Sequence, residues 1–327
     1  MKRAPAHAGG LRTSERLAFV LVFSFMAAFV VGLTVLAANS GASPLVGHTT
    51  PSGSQTLPVG AIGQPGAGDK TDPSRTGSTV EIRSTSATLS ARLATSLRGA
   101  VPGYLSQLSV GVVDMTTGAT ATYHASTHYV AASIVKTDIL AVLLYQDQQA
   151  RKPVTATDAG LAAEMIQDGS NAAAARLWHA VGGRHGMAAA NKALMLRQTV
   201  TGQAGSRALT RTTVADQLRL LMDLTATNSA LHSAARDYAL GLLADGFAAA
   251  QWGVAAAASP PTAYAVSDGV RPERRLWLAD SIGVIQRHGQ VLLIAVLSRG
   301  GATEAQAATA VRAAAMAAAT VITTAAS

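Results

Sequence analysis

The sequence predicts an α+β fold, in which strands from the two ends of the chain form one antiparallel sheet and the middle helices form a separate lobe. Two observations lead to this prediction. Alternating apolar residues flank a Thr-Thr-Gly turn early in the folded part, and three strand-like segments follow Pro260-Pro261. Between these two groups the apolar residues recur with helical spacing. An order of helix, two strands, several helices, three strands and helix is typical of an α+β domain.

The helices are predicted from apolar periodicity and from residues that begin or end helices. Gly99 and Pro102 close the first helix, and Gly182-Gly183 closes a later one. Thr213-x-x-Asp216 resembles a capping box that opens a helix through Leu224. The two helices that these glycines close are residues 84–98 and 171–181. Further helices are predicted at residues 157–167, 231–244 and 303–323.

The strands are predicted from alternation of apolar and polar residues between turn signals. The first hairpin turns at Thr116-Thr117-Gly118, and the last one turns at Arg287-His288-Gly289. The predicted strands are residues 105–115, 119–124, 264–267, 276–285 and 291–297. Strands at both ends of the chain must pair across the helices to form one sheet, with the helices on its sides and in the lobe.

The first 79 residues are predicted to be accessory to a domain of residues 80–327. Residues 1–16 form a basic polar stub, and residues 17–38 contain no charge and are long enough to span a bilayer. Positive residues before the span favour a cytoplasmic stub. We therefore expect a single-pass anchor in the cytoplasmic membrane with the domain outside; the alternative is secretion after signal cleavage near residues 37–40. Residues 39–79, rich in Gly, Ser, Thr and Pro, are predicted to be a flexible linker.

The composition argues against several classes of function. The chain has no cysteine, and therefore neither a disulfide nor a thiolate metal site. Its net charge of +8 is spread over scattered arginines, with no basic run and few aromatic residues, so no nucleic-acid partner is expected. His124 and His128 lie four residues apart without a nearby acid or third ligand, so no metal and no cofactor are predicted.

The segment from Tyr129 to Leu144 is the most apolar part of the domain and is predicted to be a buried helix. It contains Ser133 in its first turn and Lys136 three residues later, so the two side chains share one helix face. A serine at a helix N-terminus lies among unpaired N–H groups that favour a developing oxyanion. A lysine in apolar surroundings has a lowered pKa and can accept the serine proton.

The alternative interpretation is that Ser133 is only an N-cap and that the Ser-x-x-Lys spacing arises by chance. Lysine usage favours the catalytic interpretation, because the domain contains only three lysines: Lys136, Lys152 and Lys192. A buried lysine is costly unless it has a task or a partner. Asp138 would have to turn inward to be that partner, which its place two residues further on disfavours.

With this order of elements, Ser133-Ile134-Val135-Lys136 resembles the first motif of the serine β-lactamase and penicillin-binding-protein superfamily, and most of all that of class A β-lactamase-related proteins. The resemblance covers roughly residues 80–318 and implies a β-lactamase/transpeptidase-like fold. The second motif of the family, Ser-Asp-Asn, is matched by Gly169-Ser170-Asn171, which keeps only the asparagine in register. The third, Lys-Thr/Ser-Gly, is matched by Ser267-Asp268-Gly269, which keeps only the glycine.

The resemblance implies acyl transfer through Ser133 with Lys136 as the base. It assigns substrate positioning to Asn171, and Ser170 can replace the lost serine only if the loop is rotated. The N–H groups of Ser133 and Val270 are expected to bind the oxyanion.

Two departures from the family imply weak activity on β-lactams. In the family, the lysine and hydroxyl that Ser267 and Asp268 replace help to bind a substrate carboxylate, and an aspartate there is expected to repel it. Class A enzymes also use a glutamate to activate water, and no glutamate lies between Glu164 and Glu273.

We therefore predict a membrane-tethered extracytoplasmic serine hydrolase that acts on a small-molecule or peptidoglycan-like acyl substrate. The alternative is a non-catalytic cell-envelope binding or sensing module with the same fold. The intact first motif favours the enzyme, and the altered second and third motifs favour the binding module. Trp252 and the 271–277 stretch are the best candidates for the rim of the cleft.

Overall fold

A sheet built from both ends of the folded chain is the centre of the computed structural model. The strands are β1 (Leu108–Asp114), β2 (Thr120–Tyr123), β3 (Tyr129–Val130), β4 (Arg211–Thr212), β5 (Tyr264–Glu273), β6 (Leu276–Arg287) and β7 (Gln290–Ser298). Five of them form an antiparallel sheet in the order β2-β1-β7-β6-β5. The N-terminal hairpin thus pairs with the last strand, for example at Val112 and Ile294. The predicted α+β sheet is confirmed, and β5 lies at one of its edges.

The structure describes residues 73–202, 206–246, 252–261 and 264–324, with side chains from residue 86 onward. The predicted stub and transmembrane anchor, and residues 39–72 of the predicted linker, lie outside this part of the chain. The residues from Ile82 onward form one compact unit.

Eight α-helices lie in the described part of the chain. They are α1 (Pro73–Ala100), α2 (Val135–Gln149), α3 (Ala156–Ile166), α4 (Asn171–Ala180), α5 (Gly183–Ala193), α6 (Val214–Thr225), α7 (Ser233–Ala244) and α8 (Glu304–Thr323). Helix α6 begins as the capping motif predicts, because the Thr213 hydroxyl accepts the N–H of Asp216 at 3.2 Å.

Helices α1 and α8 cover one face of the sheet with an apolar layer that includes Leu93 and Val311. Helix α6 packs on the other face, where Gly111 permits a close approach: a Cβ at Gly111 would lie 2.6 Å from side-chain carbons of Val214 and Leu218. The sheet is therefore buried on both faces, and its edge strand β5 remains available to line a cleft.

Helix α8 has the length and apolarity of a membrane span, and it is the one described helix that does. It is a core helix of the domain, because Ala307, Val311, Ala314 and Ala318 are fully buried against the sheet layer.

The structure differs from the sequence-based predictions at the start of the domain. Residues 73–79 lie in helix α1, although the sequence places them in the linker.

The segment before Ser133 is the second correction. Tyr129 and Val130 form strand β3 and pair with Thr212 and Arg211, so these two residues are not part of the predicted buried helix. Helix α2 begins only at Val135.

Helix α5 is the third difference, since the sequence predicts no helix at Gly183–Ala193. Gly182 has a φ of 87° and ends α4, as predicted, but the chain becomes helical again at the next residue. Only Met187, Ala190 and Asn191 of α5 are buried, so its apolar periodicity is short.

Candidate active site

A cleft with a volume of about 450 Å³ lies between the edge strand β5, the start of α2 and the end of α3. Ser133, Lys136, Asp168, Gly169, Trp252 and residues 266–270 are among the residues that line it. The fold therefore brings the first motif, the glycine of the second motif and the whole third motif to one cavity, and the first and third of these are more than 100 residues apart in the chain.

Ser133 lies in the turn immediately before α2. Its carbonyl oxygen accepts the N–H of Lys136 at 2.9 Å, which closes this turn. The N-cap position of α2 belongs to the next residue, Ile134, and no side chain caps this helix end in the described structure. The Ser133 hydroxyl is therefore not the cap of α2, and the half-buried residue faces the cleft.

Lys136 is only 6 % exposed, and its Nζ donates a hydrogen bond of 2.6 Å to the carbonyl oxygen of Gly169. Burial lowers the pKa of Lys136, and the positive charge of Arg207 lowers it further. Asp138 is not the partner of this lysine, since its carboxylate accepts a hydrogen bond from Asn191 Nδ2 at 3.1 Å. Both effects shift the equilibrium of Lys136 toward the neutral amine, the form that can accept a proton.

The second motif contributes a backbone carbonyl to the cleft. Gly169 has a φ of 68°, which glycine adopts without strain, and its carbonyl oxygen binds Lys136. The Ser170 hydroxyl caps α4 by accepting the N–H of Ala173 at 3.1 Å. Asn171 is exposed on the first turn of α4, and its carbonyl oxygen accepts a hydrogen bond from Arg207 at 2.9 Å. Neither Ser170 nor Asn171 is among the described residues that line the cleft.

The third motif approaches Ser133 at Gly269. A Cβ on this residue would overlap the backbone nitrogen of Ser133 and would lie 2.7 Å from the Cβ of Ala132. Only glycine allows this approach without a shift of strand or turn. Ser267 and Val270 line the cleft on either side of it. Because β5 is an edge strand, alternate N–H groups along it are not used by the sheet.

The carboxyl group of Asp268 is bound by groups on β6 and at residues 252 and 253. Its carboxyl group accepts hydrogen bonds from the Ser281 hydroxyl and from the backbone N–H groups of Trp252 and Gly253. Burial raises the pKa of Asp268 to about 7, and these hydrogen bonds lower it only in part. Asp268 is 8 % exposed, so any repulsion of a substrate carboxylate would come from a largely enclosed group whose raised pKa favours the neutral form.

The sequence did not identify Asp280 as a residue of this site. Asp280 is fully buried on β6 and accepts the N–H of Ala132, the residue before Ser133, at 2.9 Å. A signal was present, because an aspartate inside the apolar run 276–285 needs a buried hydrogen-bond partner. Arg207 was also missed, since its position in the loop before α6 gives no indication that its charge acts on Lys136.

The chain matches known proteins in structure but not in sequence. No family model matches the chain, and no curated protein matches it in sequence. Solved structures do match. A β-lactamase from Chitinophaga pinensis superposes with a TM-score of 0.60 and 14% identity, covering 72% of this chain and 98% of its own. A β-lactamase from Streptosporangium roseum has a TM-score of 0.59 and 18% identity, covering 71% of this chain and 99% of its own. An ancestral class A β-lactamase has a TM-score of 0.57 and 20% identity, covering 72% of this chain and 99% of its own.

The similarity covers nearly the whole length of these enzymes and about seven tenths of this chain. The chain therefore has the fold of these serine β-lactamases, and the predicted resemblance is confirmed at the level of fold. At these identities the similarity defines the fold, and the chemistry must be argued from the cleft itself.

Proposed function

We propose that the protein is a serine hydrolase that transfers acyl groups through Ser133, with Lys136 as the general base. The observation that carries this proposal is the buried Lys136, whose pKa is lowered and which lines the same cleft as a serine three residues before it. No other described lysine is buried, since Lys152 and Lys192 are exposed. The cost of burying this amine is explained if the neutral form has a chemical task.

The proposed reaction follows from the positions of these groups. Ser133 Oγ attacks the carbonyl carbon of an amide or ester, and its proton passes to Lys136 Nζ. The N–H groups of Ser133 and Val270 stabilise the oxyanion. Lys136 then returns the proton to the leaving nitrogen or oxygen as the C–N or C–O bond breaks, which leaves an acyl group on Ser133.

The altered second motif leaves Ser133 and Lys136 as the two side chains with a proposed catalytic role. Gly169 has no hydroxyl with which to pass the proton, and Ser170 caps α4. Asn171 is not among the described residues that line the cleft with Ser133. We therefore assign the direct proton transfer to Lys136 and no catalytic role to Ser170 or Asn171.

Hydrolysis of the acyl group is proposed to be slow. The sequence has no glutamate between Glu164 and Glu273 that could activate water as in class A enzymes. Asp168 lines the cleft and is the exposed carboxylate next to Gly169. We propose weak acylation by β-lactams and slow release, with a small or peptidoglycan-like acyl compound as the preferred substrate.

The location of the enzyme is proposed from the sequence alone. Residues 17–38 would anchor it in the cytoplasmic membrane, and the domain would lie outside the cell, where peptidoglycan-like substrates occur. Protease added to intact spheroplasts should remove the domain, whereas survival of the full-length chain would contradict this topology.

A non-catalytic binding or sensing module on the same fold is the second candidate. It is favoured by Gly169 and Ser267, which replace a proton-transferring serine and a substrate-binding lysine of the family.

Intact mass spectrometry after incubation with a fluorophosphonate and with a fluorescent penicillin separates the two candidates. We expect a phosphonyl adduct that is absent from Ser133→Ala, and a weak penicillin adduct. A parent protein that no reagent modifies would favour the binding module.

A further inference from the structure

Asp280 occupies the interior of the sheet, close to the turn that carries Ser133. It is the cross-strand neighbour of Gly269 on β5 and of Leu297 on β7. Asp280 is 0 % exposed to solvent. Burying a carboxyl group costs free energy unless hydrogen-bond donors satisfy it. The donors to its two oxygens therefore show which groups Asp280 holds in place.

Both oxygens of Asp280 bind backbone N–H groups. Oδ2 accepts the N–H of Ala132 at 2.9 Å, and Oδ1 accepts the N–H of Ser298 at 3.2 Å. Ser298 is the last residue of β7, so that contact lies within the sheet. The contact with Ala132 is different, because it joins the sheet to the residue immediately before Ser133, which is 148 positions away in the sequence.

The turn that carries Ser133 is held at two further points. The N–H of Ala131 donates to the carbonyl oxygen of Thr210 at 2.8 Å, which fixes the turn to the loop before α6. Gly269 packs against the backbone of Ser133 and the Cβ of Ala132. Three successive residues are thus fixed from three directions, and the only side chain that supplies one of these hydrogen bonds is that of Asp280.

We propose that Asp280 is a positioning residue for Ser133. Asp280 holds the turn through Ala132 and thereby fixes the Ser133 N–H and Oγ relative to β5. Asp280 acts through the backbone and does not touch the substrate. The catalytic consequence rests on the proposed function, whereas the effect on the turn does not. An error of about 1 Å in the position of a reacting group slows catalysis by about 100-fold, so the loss of this hydrogen bond should be visible in the rate of acylation.

The protonation state of Asp280 does not remove its ability to accept. Burial raises the pKa of Asp280 to about 7, the N–H groups of Ala132 and Ser298 lower it, Glu273 raises it and Arg271 lowers it. Both the ionised and the neutral carboxyl group keep an oxygen that can accept the Ala132 N–H. An asparagine keeps one such oxygen, and an alanine keeps none.

The test compares Asp280→Ala and Asp280→Asn with the parent, as full-length protein in detergent micelles. The readouts are the maximal rate of labelling by a fluorophosphonate and the reagent concentration at half-maximal rate. We expect Asp280→Ala to slow the maximal rate by about 100-fold and Asp280→Asn by about tenfold, with an unchanged half-saturating concentration. Labelling of folded Asp280→Ala at the parent rate would overturn the proposal.

Asp114→Ala is the matched control. Asp114 is also 0 % exposed in the same sheet and accepts a backbone N–H, that of Thr116, at 2.8 Å, but it holds the β1–β2 turn. It should lower the thermal stability as Asp280→Ala does and label within twofold of the parent rate. An equal loss of labelling in both variants would show that Asp280 acts only through stability.

Hydrogen exchange of the Ala132 amide, measured by NMR, tests the turn without reference to activity. We expect this amide to be protected in the parent and in Asp114→Ala. It should exchange at least tenfold faster in Asp280→Asn, because the single amide oxygen cannot accept the N–H groups of both Ala132 and Ser298. Rapid exchange in the parent overturns the proposal even if Asp280→Ala does not fold. If the parent is not labelled at all, the proposed function fails, and the exchange measurement still decides whether Asp280 holds the turn.

Discussion

The ammonium or amine nitrogen of Lys136 lies 2.6 Å from the carbonyl oxygen of Gly169. This contact joins the first motif to the altered second motif, where the family has a serine hydroxyl. A carbonyl oxygen accepts a hydrogen bond from either form of the lysine, but it cannot relay a proton. The amine of Lys136 is therefore held in the cleft by a group that has no proton to relay, and the proposed reaction assigns the proton transfer to the lysine alone.

The pH dependence of labelling should follow Lys136. Only the neutral amine accepts the Ser133 proton, so the rate of fluorophosphonate labelling should rise with pH and level off above the pKa of Lys136. This pKa lies below the ordinary lysine value of 10.5 because of burial and of Arg207. Lys136→Ala should slow labelling by on the order of 100-fold or more and remove the pH dependence.

Arg207→Gln should shift the pH dependence of the labelling rate. Loss of the positive charge should raise the pKa of Lys136 and move the pH–rate curve to higher pH, most strongly at low ionic strength. Arg197→Gln, an exposed arginine of the same loop, is the control and should leave the curve in place. Coincident curves for the parent and Arg207→Gln would show that Arg207 does not act on the base.

Gly269→Ala should disable the site through packing. The added methyl group would overlap the backbone nitrogen of Ser133, so strand or turn must shift. We expect a loss of labelling of about 100-fold and a loss of about 1–3 kcal/mol in the free energy of unfolding, measured in urea. Gly241→Ala is the control, because nothing lies within 4 Å of a Cβ there and an alanine inside α7 should stabilise the helix. A fully reactive Gly269→Ala would mean that the close approach is not needed.

Asp138→Asn should stabilise the protein in a pH-dependent way. Burial raises the pKa of Asp138 to about 7 in the folded state, against 3.8 for an exposed group. The folded state thus binds more protons between these values, and the contribution of Asp138 to stability falls as pH rises from about 4 to 7. The amide has no charge to bury, so the variant should gain on the parent through this window and keep its advantage at pH 8.

Urea unfolding at pH 5 and pH 8 measures this difference. We expect a gain of about 1–3 kcal/mol at pH 8 and a smaller one at pH 5. Asp237→Asn, an exposed aspartate of α7, should show no such dependence. A gain that is equal at the two pH values would contradict a raised pKa at Asp138.

The parts that could be predicted from sequence are those encoded over short distances. Alternating residues identify the strands, and the Ser133–Lys136 spacing identifies the cleft because both residues are on one short segment. The missed parts depend on distant partners. Tyr129 and Val130 become a strand only because residues 211 and 212 pair with them. The sequence indicates that Asp280 needs a buried partner, but only the fold shows that this partner is the N–H of Ala132. The aspartate at 268 shows the same limit, since its partners on β6 and at residues 252 and 253 decide where its charge lies.

Turnover of β-lactams is where the replaced residues of the third motif should be most visible. Ser267 lines the cleft where the family places a lysine, so a carboxylate-bearing β-lactam loses a charge-assisted contact of about 1.5–3 kcal/mol. Ser267→Lys together with Asp268→Thr should therefore speed acylation by penicillin, followed as covalent adduct by mass spectrometry, and Ser267→Gln with the same second change should not. Neither pair adds a base that activates water, so release should remain slow. Nitrocefin hydrolysis by the unmodified protein at roughly 10 per second, the median for enzymes, would show that another base, such as Asp168 at the cleft, performs deacylation.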